Sequence, residues 1–140
     1  MIVADTNLIA YFFIPGQHTA DAKSVFAKDP HWVAPLLWKS EFRNVLATYL
    51  RQGHLSLEDA LTIASEAESL LRGNEYSIPS GRILKLVARS KCSAYDCEFA
   101  ALAEELGVKL VTSDKVVLAA FRKIALAIKR FPSASRGSTI

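Results

Sequence analysis

The chain has 140 residues, 51% of them hydrophobic, enough to bury one substantial core and too few for two ordinary domains. No apolar run approaches the roughly 20 residues of a spanning helix, and the opening MIVADTN carries an acid where a signal peptide carries Lys or Arg; a soluble, unexported protein is expected. The net charge of +3 is unevenly placed: residues 1–70 hold 5 Lys or Arg against 8 Asp or Glu, and residues 71–140 hold 12 against 6, a basic half that suits a polyanionic partner without requiring one.

MIVAD reads as a short buried strand ending in an acid. A helical pattern follows from His18 to Lys28, then a short strand over His31 to Ala34. Two longer helical patterns come next, Pro35 to Gln52 closed by Gly53 and Leu57 to Leu71 closed by Gly73. A strand over Tyr76 to Ile78 leads to a helix over Ser80 to Lys91, and SAYDCEFAALAEELG reads as another helix with a glycine stop. Lys109-Leu-Val-Thr-Ser-Asp114 repeats the strand-then-acid design of the N-terminus, and a weak strand signal covers Leu126 to Lys129. Strands alternating with helices predict a Rossmann-like α/β fold, a three-layer α/β/α sandwich on a central, mainly parallel sheet. One domain over residues 1–131 is expected, followed by a tail over 132–140, PSASRGST and a final Ile, whose small polar composition predicts mobility unless a partner orders it.

Cys92 and Cys97 are five apart, neither a redox nor a zinc-ligand spacing, and read as reduced thiols of a cytoplasmic protein. His18, His31 and His54 are scattered at no metal-ligand spacing, which argues against zinc and triad chemistry.

The acids carry the functional signal. In open α/β sheets ligands gather beyond the carboxyl ends of the strands, where Asp5 and Asp114 would project. Each also has an ordinary explanation: Asp5 opens Asp-Thr-Asn at a strand-to-helix turn, and Asp114 precedes the apolar run Val116 to Phe121, so both serve as helix caps. Asp96 ends Ser93-Ala-Tyr-Asp, a capping box that stabilises its helix whether or not chemistry happens there. Glu98, about 200° further round the same helix, is expected to face solvent. Glu41 resists this treatment, because it falls at the edge of the apolar stripe of Trp38, Phe42, Val45, Leu46 and Tyr49, where a carboxylate needs a partner. Arg43 or an arginine of another helix is the mundane candidate.

If Asp5, Glu41, Asp96 and Asp114 converge, each pair at about 4 Å repels by about 4 kcal/mol at an effective dielectric of about 20. Such a cluster binds a cation or takes up protons. Oxygen donors without His or Cys suit Mg²⁺ or Mn²⁺, which takes one or two carboxylates directly and leaves the others to hold its waters. An ion so placed activates water at neutral pH and stabilises charge on a phosphodiester.

MIVADTNLIAYFF, the acid within LLWKSEFRNVL and SAYDCEFAALAEELGVKLVTSD, in this order and spacing, resemble the PIN-domain ribonucleases, most closely the VapC-type toxins of bacterial and archaeal toxin–antitoxin pairs. The resemblance spans nearly the whole chain. It implies that Asp5, Glu41 and Asp96 are core metal-binding acids, that Asp114 binds or orients metal water, and that Asn7 and Thr112 support them by hydrogen bonds. It further implies Mg²⁺- or Mn²⁺-dependent cleavage of RNA to a 5′-phosphate and a 3′-hydroxyl, with tRNA or rRNA as target, a cognate antitoxin and a homodimer. Ser93 stands where many relatives carry Thr, and the C-terminal tail lies outside the shared pattern.

Arg82, Lys85 and Arg89 share one face of the helix before Asp96 and are either a solvated face or a phosphate rail for RNA. Lys115, Arg122, Lys129 and Arg130 are weaker candidates for the same work. Tyr11, Phe12 and Phe13 could stack on bases, but packing is the simpler expectation. The alternative to a ribonuclease is a non-enzymatic acidic-pocket α/β module, a receiver-like signalling domain or a metal-binding scaffold. A receiver would carry an Asp at the end of a middle strand, and HWVA and YSI end without one.

Overall fold

In a computed structural model that describes residues 1–134, the chain forms five strands and seven α-helices. β1 (Ile2–Ala4), α1 (Thr6–Phe13), α2 (Thr19–Lys28), β2 (Trp32–Pro35), α3 (Leu37–Arg51), α4 (Leu57–Leu71) and β3 (Glu75–Tyr76) make up the first half. α5 (Ser80–Ala88), α6 (Ala94–Leu106), β4 (Leu110–Thr112), α7 (Lys115–Ala120), β5 (Ala125–Ala127) and a closing 3₁₀ turn (Phe131–Ser133) follow. The sheet order is β3-β2-β1-β4-β5, with every neighbouring pair parallel. This is the expected α/β class, with a sheet parallel throughout.

From β1 the chain steps to β2 and β3 in one direction, and from β3 it returns past β1 to β4 and β5 in the other. Right-handed crossovers therefore put α1 to α4 on one face and α5 to α7 on the other. The reversal makes β1 and β4 the switch point, and their carboxyl ends flank a crevice. Asp5 and Asp114 follow those two strands.

α6 lies across β1, β2 and β4. Ala100, Ala101 and Ala103 are fully buried on it, so small side chains let the helix approach the strands closely, while Phe99 and Leu102 fill the remaining depth. On the other face Phe12, Phe26 and Trp32 pack ring against ring at centroid distances of 4.8–5.5 Å, so Phe12 is a packing residue, as expected. Both cysteines are free and buried.

Several boundaries differ from the sequence reading. The helix over Thr6–Phe13 was implied only by the turn at Asp5, because its sequence, TNLIAYFF, is apolar on nearly every side and lacks a polar repeat. Pro35 closes β2 instead of opening a helix: it pairs with Tyr76 across the sheet, and α3 starts two residues later. α5 stops at Ala88, where the Ser90 hydroxyl takes the Leu86 carbonyl at 2.7 Å and then receives the Cys92 amide. Of the expected tail, residues 132–134 are described: the Lys28 ammonium donates to the carbonyls of Phe131 and Ala134 at 2.6 and 2.5 Å and sits over the Phe131 ring. Residues 135–140 lie outside the described residues.

Candidate active site

Asp5, Glu41, Asp96 and Asp114, expected at the crevice, line one open groove of about 620 Å³, together with Thr6, Asn7, Ser40, Asn44 and Tyr95. Each acid is delivered by a different element. Asp5 leaves β1 as the N-cap of α1, its Oδ1 accepting the Thr6 amide at 2.8 Å. Asp114 leaves β4 as the N-cap of α7, and its Oδ1 accepts from the amides of Val116 and Val117 at 2.9 and 3.0 Å. One oxygen of Asp114 is thereby committed to the helix. Ser93, not Asp96, is the N-cap of α6; its hydroxyl accepts the Asp96 amide at 3.1 Å and so sets Asp96 on the first turn, facing the groove. Glu41 comes from α3, and its Oε1 accepts the Thr6 hydroxyl at 2.7 Å.

The supporting residues form a bridge across the switch point. The Thr112 hydroxyl, fully buried, donates to Asp5 Oδ2 at 2.6 Å and accepts the Asp114 amide at 3.0 Å. Asn7 Nδ2 donates to Thr112 Oγ1 at 3.2 Å, and Asn7 Oδ1 accepts the Ser113 amide at 3.2 Å. Asn7 and Thr112 thus tie β1 and α1 to β4 and α7. Thr6 plays the same part toward Glu41 and was missed as such: its place directly after Asp5 was legible, but the side chain it would meet, 35 positions on, was not.

Electrostatics separate this groove from the rest of the surface. Burial pushes the Asp5 carboxyl up to about 6, against the lowering effect of Thr112 and the Thr6 amide, and Glu41 and Asp96 raise it further. Burial also raises Glu41 and Asp96, with Asp96 adding to the first and Asp114 to the second. The mundane arginine partner for Glu41 is not there: none of the four acids has an ion pair among the described residues. Glu98 departs from its solvent-facing expectation, being half-buried, raised by burial and then by Glu41.

Arg82 and Arg89 lie elsewhere. They pair with Glu105 and Glu104 at 3.9 and 3.1 Å, near the far end of α6, about 12 Å along the helix from Asp96. Lys85 is exposed on the same helix, and the fold brings none of the three to the acid groove.

Among the described residues no three His, Cys, Asp or Glu side chains are arranged to hold a metal ion as they stand. The donor chemistry nevertheless fits a hard cation. Every donor is oxygen, no side-chain cation balances the acids, and Asp5 resists ionisation in its present surroundings. An ion held by one or two carboxylates and its own waters matches this arrangement; a cage of four direct carboxylates does not.

A parallel sheet with uncompensated acids at its switch point defines an acid-groove α/β protein. The PIN domain family model matches residues 2–125, and the chain belongs to that family, whose members are generally nucleases. The fold is similar to that of PAE2754 from Pyrobaculum aerophilum, with a TM-score of 0.76 at 20% identity over 94% of this chain and 93% of the other. It is likewise similar to FitAcB from Neisseria gonorrhoeae (TM-score 0.71, 17% identity, 91% and 98% covered). FitAB bound to the IR36 DNA fragment gives 0.72 at 17% identity, over 92% and 96% of the two chains. No curated protein sequence matches the chain.

Proposed function

We propose that this PIN domain is a Mg²⁺- or Mn²⁺-dependent endoribonuclease, the toxin of a toxin–antitoxin pair, which blocks translation in the cytoplasm by cleaving tRNA or rRNA. The observation that carries the reading is the groove itself, where four carboxylates from four elements meet with no side-chain cation among them. Asp5, Glu41, Asp96 and Asp114 are the residues that would hold the ion. When bound, it supplies an activated water at neutral pH and stabilises the charge that builds on the phosphodiester.

The protein's own part is positional. Thr112 and the Thr6 amide each hold one oxygen of Asp5, so its carboxylate plane is fixed before any ligand arrives. The Thr6 hydroxyl does the same for Glu41. Asp114 spends one oxygen on its helix and turns the carboxylate so that the other remains available to the groove. Ser93 steadies Asp96 by accepting its backbone amide on the Ser93 hydroxyl. Such pre-set acids lose little conformational freedom on meeting ion and substrate, which favours the geometry of in-line attack. The likeness to FitAB, solved bound to a DNA fragment, supports a protein that works within a DNA-bound complex, here with an antitoxin. A homodimer is part of the same reading.

Purified protein is incubated with tRNA and rRNA in Mg²⁺ or Mn²⁺, with chelator, and as Asp96→Asn. Discrete cuts that vanish in both controls and leave 5′-phosphates are expected. Intact RNA in every lane, from several sources and with no antitoxin present, leaves the non-enzymatic acidic module as the better account.

A further inference from the structure

A second cavity, of about 420 Å³, adjoins the acid groove. The two share the segment after β4: Asp114 lines the groove, while Ser113 and Lys115 on either side of it line the cavity. They also share α1, where Asn7 faces the groove and Tyr11, one turn on, faces the cavity and meets Ser113 through their hydroxyls at 3.3 Å. Its size falls in the range of small-molecule sites, about 300–1,000 Å³.

The lining combines apolar, aromatic and charged side chains. Leu118 and Ile128 give an apolar floor. The rings of Tyr11 and His18 lie 4.4 Å apart with a 34° tilt, a half-buried aromatic pair at the wall. Lys115 and Lys129, both exposed, have no ion pair among the described residues. Asp21 is the one acid in the lining, an acceptor suited to the exocyclic amine of a base. Lys115 also borders a neighbouring groove with Lys91, away from the acids.

We propose that this cavity holds the RNA nucleotide next to the cleaved bond, its base against the Tyr11–His18 pair and its phosphates on Lys115 and Lys129. The inference rests on the ribonuclease reading and assigns its substrate path. Acids at the cleavage centre repel the backbone they must approach, so the attraction has to come from beside them, and these two lysines, unpaired among the described residues, line a cavity whose walls include the chain neighbours of Asp114. Stacking on an aromatic pair is indifferent to sequence, as a general anchor must be. The phosphate path thereby runs over α7 and the segment after β5, not over the α5 face that the sequence left open between a solvated surface and a phosphate rail.

The test reads binding, not cleavage. Fluorescence anisotropy of a labelled single-stranded RNA is followed over a salt series on full-length Asp96→Asn protein without divalent ion. Lys115→Ala and Lys129→Ala added to it are each expected to lower the salt slope by about 1, and Tyr11→Ala to weaken affinity by about tenfold or more. Tyr11→Phe keeps the ring and is expected to bind as its parent does, which separates stacking from misfolding. Arg51→Ala, at the exposed end of α3, is the control for general charge loss. Unchanged slopes in both lysine variants, or an equal loss in Arg51→Ala, would overturn the site. The specific losses in a protein that cleaves no RNA would uphold the site and remove the nuclease reading.

Discussion

The two ends of α6 treat acids in opposite ways. Near its C-terminus, Glu104 and Glu105 each meet an arginine from α5, and on β3 Glu75 has Lys39 within 3.9 Å. At its N-terminus, Asp96 joins three further acids with no cation among the described residues. The chain carries 17 Lys and Arg against 14 Asp and Glu, so cations are not scarce; they are placed elsewhere. The paired end is exposed and each of its contacts contributes little, at most about 1 kcal/mol. The unpaired end is buried enough to cost stability. The proposed function gives that cost a purpose, since a bound cation would bring the missing positive charge.

The largest expected effect comes from removing one negative charge at the unpaired end. Asp5→Asn or Asp96→Asn should reduce RNA cleavage by about 10³-fold or more while leaving the fold intact by circular dichroism. Retained cleavage in either variant would place the chemistry outside the groove.

Next in size is the pH dependence of the metal-free protein. Asp5 keeps its proton to about pH 6 when folded, against 3.8 unfolded, so the folded state binds the extra proton between those values. The contribution of Asp5 to stability is therefore fully present below 3.8 and is lost as pH rises through 6, by about 3 kcal/mol in all. In chelator, Asp5→Asn should be more stable than wild type at pH 8 by an amount that shrinks toward pH 4, read from denaturant midpoints. Glu104→Gln, at the paired end, should show no such trend. A difference independent of pH would mean that Asp5 is not strained by its ionisation.

Thr112→Val tests the support. It leaves all four acids in place but removes the donor to Asp5 Oδ2, which should cost about 10- to 100-fold in cleavage, with the pH optimum moved upward because Asp5 loses a group that favours its charge. The smallest effect belongs to the paired end: Arg89→Ala should change stability by less than about 1 kcal/mol and leave cleavage unaltered. A large loss of cleavage there would restore α5 as the path of the RNA.

Much of this was legible in the amino-acid order. Short runs ending in an acid, IVAD and LVTSD, marked β1 and β4, and glycines at 53, 73 and 107 with positive φ closed the loops after α3, α4 and α6. The capping signals Ser93-x-x-Asp96 and Asp114 stated where helices begin because a cap is a local hydrogen bond. These signals hold within a few residues. They determined the class of fold and nominated the acids one by one.

Tertiary structure decided what the acids do together. Whether Glu41 meets Arg43 or Thr6, whether Arg89 faces the groove or Glu104, and whether Glu98 is wet or half-buried depend on contacts between elements far apart in the chain. Helical spacing gives a side chain's direction around its own axis and says nothing of what the neighbouring helix presents there. The sheet's reversal between β1 and β4 brings residues 5 and 114 to one crevice, and only that packing turns four separate helix-start and helix-edge acids into one uncompensated charge.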